Sequence, residues 1–393
     1  MKKILFFLDE LYYKDNDHYI SNYAAGSYFA EFKNIEKSFL FPVAPATEQK
    51  PDKFSTRIST KENKVTELPY WNSVISYLKV YYKSGATRSL IKETIRKAVS
   101  ENDIIWIRVP ALPGLLVAKE AIKQNKKIMF HFAGDIENAW KNNKYSGVSK
   151  AYAYMLSKYM HSKVLQYSKL DNVTNLCTGS ALYNIFSKEN KNTSFFIDSN
   201  IRRAELETHD YSETEKRFLY IGRLTEDKGI LDLVDIFKRL GSKYQNIKLT
   251  IIGFGDKEDY IKQTISESEN PDAFNFIGYV PNTEISNYLK QNDILLLPSK
   301  APYEGFPRVI LEAWAYGLSV IATRVGGVDG LGVDGKNIVF SNVGDVAQLE
   351  SNIIDVIEDK LDIKSLQQNI IKDRENITYE YYKEIVEKHI DEL

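Results

Sequence analysis

The chain of 393 residues holds one cysteine, Cys177, so it can form no intramolecular disulfide, and such usage fits a reducing compartment. Cys177 falls in the apolar run VTNLC and reads as a buried packing residue. The five histidines are scattered and offer no metal-ligand cluster. No run of 18 apolar residues occurs, so no segment reads as a bilayer-spanning helix. The opening MKKILFFLDE puts Lys2 and Lys3 before apolar residues, as a signal segment does. The run stops at Asp9, too soon for an h-region, and reads instead as the first strand of a domain. Zinc-finger, RRM and basic-region motifs are missing, and bases are interleaved with acids, so nucleic acid is not an expected partner. No low-complexity segment and no repeat of fixed period occurs. These absences leave a cytoplasmic globular protein as the expectation.

A hydrophobic content of 43% suffices for ordinary cores, and the length suits two or three domains. Net charge is −1, but the halves differ: residues 1–200 carry 29 Lys and Arg against 19 Asp and Glu, and the remainder carries 23 against 34. The first half is therefore expected to meet something anionic, and an anionic membrane surface suits its texture. In YWNSVISYLKVYYKSGATRSLIKETIRKAV, Tyr70, Trp71, Tyr77, Tyr81 and Tyr82 mix with Lys79, Lys83, Arg88, Lys92, Arg96 and Lys97, and AYAYMLSKYMHSKVLQYSK repeats the pattern. Rings sit at headgroup depth and cations meet anionic lipid. The same residues also fit helices whose rings pack inward on a sheet, and both readings can hold in part.

KKILFFL, KSFLFPV, DIIWIRV and KKIMFHF read as apolar strands separated by helical stretches. Such alternation implies a largely parallel, doubly wound sheet, whose ligands bind beyond the carboxyl ends of the strands. The polar run IDSNIRRAELETHDYSETEK marks a boundary, giving domains at 1–205 and 206–376, followed by a helical stretch at 377–393.

The most informative stretch is PSKAPYEGFPRVILEAWAYGLSVIATRVGG, from Pro298 to Gly327. DILLLP is a strand ahead of it and SVIATRVGG a strand at its end, so a helix must lie between them. Pro307 suits the first helical position and Gly317 the residue past the last turn, which predicts a helix from Pro307 to Tyr316. Glu304 lies ahead of the exposed N–H groups of that helix, where the macrodipole favours a diphosphate. Glu312 sits inside, leaning back toward the N-terminus. One carboxylate can take sugar hydroxyls on one side of a bound phosphate and the other can take hydroxyls on the far side.

At these residues the sequence resembles the retaining glycosyltransferases of family four, a GT-B group marked by E-x7-E in a setting like EGFPxxxLEAxAxGxPVIAT. Glu304, Gly305, Phe306, Pro307, Leu311, Glu312, Ala313, Ala315, Gly317, Val320, Ile321, Ala322 and Thr323 match, and Leu318-Ser319 departs where the family has a proline. The resemblance covers Arg217 to about Phe340 well and the first 200 residues in outline. It implies an α/β GT-B fold: two Rossmann-like, doubly wound parallel-sheet domains facing a central cleft, the first for the acceptor and the second for the donor, with the C-terminal helix 377–393 packing back on the first.

In FLYIGRLTEDKGILDLVDIFKRL, the family's GRL…KG motif implies that Arg223 and Lys228 meet the donor diphosphate. Charge-assisted bonds stabilise both the bound phosphate and the leaving group. KLTIIGFGD runs into Gly253-Phe254-Gly255, a loop that lets backbone approach a ligand with no Cβ in the way. FNFIGYVP resembles the strand and turn whose backbone, at Tyr279 and Val280, reads the nucleobase. Glu304, Gly305, Phe306, Pro307 and Glu312 complete the donor set. In the first half, Ala133-Gly134-Asp135 follows KKIMFHF where many relatives have His-Asp. Asp135 aligns with that Asp, and His131 is either a contact of the transferred sugar or a packed strand histidine. Asp15-Asn16-Asp17 mimics a metal-binding D-x-D, but GT-B enzymes need no metal for their chemistry, so it reads as a solvated loop and no cofactor is expected.

The activity implied is retaining transfer of a hexose-type sugar from a nucleotide-sugar donor to a saccharide acceptor. The acceptor hydroxyl would enter on the face that the diphosphate leaves. The charge split and the aromatic helices point to a lipid-linked acceptor at the inner membrane face, in surface-polysaccharide or glycoconjugate synthesis. A sugar-nucleotide epimerase, a phosphorylase and a non-catalytic binding scaffold remain as alternatives.

Overall fold

A computed structural model describes residues 1–392 apart from 24, 52, 53, 142–144, 209, 213 and 302–305. The chain falls into two compact units, Met1–Asp198 with Lys383–Leu393, and Ser199–Tyr382. The division lies at the start of the polar run, and most of the C-terminal helix Tyr379–Glu392 groups with the first unit.

The first unit contains β1 (Lys3–Phe7), β2 (Tyr13–Asp15), β3 (His18–Ser21), β4 (Glu36–Pro42), β5 (Thr56–Ser59), β6 (Lys64–Leu68), β7 (Ile104–Val109), β8 (Lys127–Phe132), β9 (Val173–Cys177) and β10 (Thr193–Phe195). Seven of them form a parallel sheet in the order β10-β9-β8-β7-β1-β4-β6. The apolar runs seen in the sequence are β1, β4, β7 and β8. They are continuously apolar because helices cover both faces, leaving Ile4, Leu5, Phe6 and Phe7 at most 1% exposed. Cys177 ends β9 fully buried.

A separate antiparallel sheet, β2-β3-β5, gave no signal in the sequence because its strands are short and polar. Its hairpin turns at Asn16, whose φ is +51°, and Asp15 and Asp17 pair with Lys50 and Lys61. The D-x-D thus forms a salt-bridged hairpin tip.

Ser73 caps the helix Val74–Tyr82 and Ser84 caps Gly85–Ser100, each accepting from a backbone N–H three residues on. Trp71, Tyr77 and Tyr81 are buried in the core, whereas Tyr82 and the lysines of these helices face outward. Most of these rings therefore pack on the sheet and do not share a face with the cations. The helix Gly147–Ser168 differs, keeping Val148, Tyr152, Tyr154, Met155 and Tyr159 exposed.

The second unit contains β11 (Lys216–Ile221), β12 (Ile247–Ile252), β13 (Phe274–Gly278), β14 (Ile294–Leu297), β15 (Ser319–Thr323) and β16 (Val339–Ser341). All are parallel, in the order β13-β12-β11-β14-β15-β16. The chain lays down strands in one direction from β11 to β13 and in the other from β14 to β16. The order thus reverses between β11 and β14, the place where a doubly wound sheet opens a crevice at its carboxyl ends. At the opposite end Arg217 forms a two-pronged ion pair with buried Asp293, Nε to Oδ2 at 2.8 Å and Nη2 to Oδ1 at 2.7 Å. The helix Ile230–Lys243 seals one face with Ile230, Leu233, Val234, Ile236, Phe237 and Leu240.

Candidate functional site

The loop after β11 carries both predicted phosphate cations. Thr225 Oγ1 donates to Asp227 Oδ1 at 2.5 Å, and Arg223 Nη2 lies 3.4 Å from Asp227 Oδ2. Arg223 remains half exposed while Lys228 is drawn inward. Burial pushes the Lys228 amine down to about 8, the positive charge of Arg223 adds to this, and Asp227 opposes it. Two cations held side by side, one of them desolvated, are relieved by an anion that meets both.

Gly229 turns the chain into its helix at φ +70°, and a Cβ there would stand 2.0 Å from the Pro298 carbonyl oxygen. The Lys300 N–H donates to the Asp227 carbonyl at 2.8 Å, and Lys300 Nζ pairs with Asp232 at 2.5 Å. The loops after β11 and β14, on either side of the strand-order reversal, are stitched together.

Gly253 and Gly255 each meet a neighbouring loop at close range. A Cβ on Gly253 would fall 1.8 Å from the Gly222 carbonyl oxygen, and one on Gly255 would fall 2.3 Å from that of Leu224. The space a side chain would need is filled by the β11 loop, so these glycines bring loop onto loop. Between them Phe254 is 59% exposed, and its ring meets that of Tyr279, 50% exposed, at 5.7 Å and 68°. Val280 follows, partly buried. The Phe254 ring is a feature that the glycine pattern distracted from.

The predicted helix after β14 runs Arg308–Ala315, with Pro307 as its N-cap and not its first residue, and Tyr316 as its C-cap. Gly317 is left-handed at φ +75°, so the N–H of Leu318 reaches the Ala313 carbonyl at 2.9 Å. Phe306 is buried, with its ring 6.3 Å from that of Trp314. Glu312 is partly buried, and burial pushes its carboxyl up from the usual range while Arg308, one turn before it, opposes the shift. Glu304 and Gly305 lie outside the described residues. Arg223, Lys228, Gly253, Gly255, Tyr279, Val280, Phe306, Pro307 and Glu312 all follow the carboxyl ends of β11 to β14.

In the first unit, Asp135 Oδ1 accepts from the N–H groups of Glu137 at 2.9 Å and Asn138 at 3.2 Å, and Oδ2 accepts from Asn138 Nδ2 at 2.5 Å. Its carboxylate thus caps the turn after β8. His131 has no exposed surface, and its ring lies among those of Phe196 at 5.0 Å, Trp106 at 6.1 Å and Phe29 at 6.2 Å. Of the two readings open for His131, this burial favours the packed strand histidine. A side chain at this strand position points into the packed face of the sheet, and His131 is a packing residue. Among the described residues no three His, Cys, Asp or Glu side chains gather as a metal-binding group, and no helix is long and apolar enough to cross a membrane.

Residues 202–376 match the family described as glycosyl transferases group 1. The chain is 27% identical over 195 residues to the amylovoran biosynthesis glycosyltransferase AmsK of Erwinia amylovora, covering 49% of this chain and 47% of that one. It is 32% identical over 141 residues to a glycogen synthase of Mycobacterium tuberculosis, covering 36% and 34%. The chain thus spans half or less of the length of these relatives. A crystal structure of Anabaena HepE in complex with UDP matches over 100% of both chains with a TM-score of 0.69 at 14% identity. A likeness of that kind speaks for the fold alone, and the fold of two parallel-sheet α/β units is GT-B.

Proposed function

We propose that the chain, whose residues 202–376 match the family described as glycosyl transferases group 1, is a retaining transferase that moves a hexose-type sugar from a nucleoside-diphosphate donor to a saccharide acceptor. The observation that carries this reading is the pairing of Arg223 with the desolvated Lys228 at the strand-order reversal of the second unit. The diphosphate gains negative charge as the bond to the sugar breaks, so cations fixed there stabilise the transition state more than the ground state. In this reading Glu312 accepts hydroxyls of the ribose and Glu304 those of the transferred sugar. The acceptor oxygen bonds to the anomeric carbon on the face the diphosphate leaves, and a diphosphate oxygen takes its proton. The protein's part is positioning and charge stabilisation, with no resident metal called for.

The UDP complex of Anabaena HepE favours a UDP-hexose as the first donor to try. The relatives in amylovoran and glycogen synthesis favour polysaccharide assembly as the setting. A lipid-linked acceptor at the inner membrane face suits the basic first half and the exposed Tyr152, Met155 and Tyr159.

Incubation with UDP-, GDP-, ADP- and CMP-sugars in the absence of acceptor tests the reading. Slow release of nucleoside diphosphate and free sugar is expected from one of them. An isomerised sugar would identify an epimerase, and no response to any donor would leave a binding scaffold.

A further inference from the structure

Beyond the carboxyl end of β1, the first unit holds a cavity of about 900 Å³ that the donor chemistry leaves unused. It starts at Asp9, Glu10 and Leu11, in the loop after β1. There β4 lies to one side and β7 to the other, so the strand order of this sheet also reverses. Tyr13, Asn22 and Tyr23 line it as well, and more distant segments add Glu48, the stretch from Tyr70 to Ile75, Tyr145 and the start of the helix Gly147–Ser168.

Its polar groups are held in place. Trp71 Nε1 donates to Asp9 Oδ1 at 2.7 Å, and Arg108 Nη1 donates to Glu10 Oε1 at 3.2 Å. Glu48 stands at the exposed edge, 3.5 Å from the Tyr70 hydroxyl. The described lining residues include three carboxylates and no lysine, arginine or histidine. A phosphate or a uronate would meet like charge at Asp9 and Glu48, with Glu10 already paired to Arg108. Carboxylates accept hydrogen bonds from hydroxyls, and the faces of Tyr70 and Tyr152 suit the C–H faces of a sugar ring. At the mouth Ile75 is 60% exposed and Val148 89% exposed, which gives the polar floor an apolar rim.

We propose that this cavity binds the acceptor as an amphiphilic glycoside, with an uncharged sugar among Asp9, Glu10, Glu48 and Trp71 and its apolar aglycone over Ile75, Val148 and Tyr152. Burial raises the Asp9 carboxyl to about 6, against the pull of its Trp71 hydrogen bond, so at neutral pH it is ionised and able to accept a hydroxyl. Naming the ligand an acceptor rests on the transferase reading above; the binding itself does not.

The test titrates the full chain, by calorimetry, with octyl and methyl glycosides of glucose, galactose and N-acetylglucosamine below their micelle thresholds, and with octyl glucuronide. At least one neutral octyl glycoside is expected to bind about tenfold or more tightly than its methyl counterpart, the gain from burying alkyl carbon on the rim. The glucuronide is expected not to bind. Glu48→Gln and Val148→Ser, at exposed positions that folding tolerates, should each weaken binding by roughly fivefold or more, with thermal unfolding as the check that both variants are folded. Failure of every neutral octyl glycoside, equal binding of the glucuronide, or unchanged affinity in both variants overturns the proposal. Glycoside binding with no donor turnover would remove the transferase reading and keep the cavity's ligand, and donor turnover with no glycoside binding would do the reverse.

Discussion

Gly229 and Pro298 are pressed so closely that a Cβ on the first would lie 2.0 Å from the carbonyl oxygen of the second, and Gly229 also holds φ at +70°. Both demands select glycine. The contact joins the loop bearing Arg223 and Lys228 to the strand whose following helix bears Glu312.

Gly229→Ala should therefore lower stability by roughly 2 kcal/mol or more, combining a left-handed alanine with a backbone clash. Nucleoside-diphosphate affinity should fall with it. Urea unfolding and calorimetric titration measure the two, and a variant as stable and as tightly binding as the parent would disprove the close approach.

Arg223→Ala and Lys228→Ala should each slow turnover on the order of 10²-fold, as removal of one preorganised stabiliser does. pH separates them. The folded pKa of Lys228, about 8, lies below its ordinary 10.5, so between these values the unfolded chain binds more protons and stability rises with pH. Binding runs the other way, because a diphosphate needs the ammonium form, and affinity should drop by up to about tenfold per pH unit above 8. Lys228→Ala should flatten that profile. Arg223→Ala should move its break upward, since Arg223 helps to depress Lys228. Normal turnover in both variants would sink the assignment.

Glu312→Gln should weaken free nucleoside diphosphate, whereas Glu304→Gln should spare it and damage binding of the sugar nucleotide. Equal effects on both ligands would show the roles misassigned. Stability adds a second readout. Burial raises Glu312 above its ordinary 4.5, so its contribution is fully present below that value and is lost as pH rises through the folded pKa. At pH 7, Glu312→Gln should unfold at a higher temperature than the parent while binding less well.

His131→Phe should change thermal stability by about 1–2 kcal/mol in either direction, as reshaping of a packed core does. Turnover should stay within about threefold, a difference of under 1 kcal/mol. A loss of turnover with an unchanged melting temperature would return His131 to the sugar.

Binding to vesicles should rise with their anionic fraction and fall with salt, since exposed charges more than about 10 Å apart are largely screened at 0.1 M. Replacing Lys79, Lys83, Lys92 and Lys97 together should remove the salt-dependent part. Met155→Ser with Tyr159→Ser should remove the remainder, because those apolar side chains are exposed whereas Trp71, Tyr77 and Tyr81 are not. Binding indifferent to salt and to lipid charge would dismiss the electrostatic argument.

Local chemistry made much of the second unit legible. Pro307 and Gly317 bracket a helix by backbone rules that act within a few residues, and the structure moves its start by one position. Arg223 and Lys228 were legible for a related reason: a strand, a turn and an amphipathic helix leave few places for a loop cation to go. The glycines of Gly253-Phe254-Gly255 were recognised as special, but their neighbour within the protein was not legible. A glycine reports that something approaches closely and cannot report what. Here Gly222 and Leu224, about thirty residues away in sequence, occupy the space.

The sequence by itself determined the fold class, because apolar strands alternating with amphipathic helices can bury their surfaces in few ways. It also singled out the loop cations and carboxylates proposed for the donor chemistry, because these sit in short motifs. Only the tertiary structure decided which way side chains at equivalent periodic positions face. It turned Trp71, Tyr77 and His131 inward and left Tyr152 and Met155 outside. It alone brought Asp9, Glu48, Trp71 and Val148 around one cavity. Long-range contacts depend on strand order and crossover, and neither composition nor local spacing encodes those.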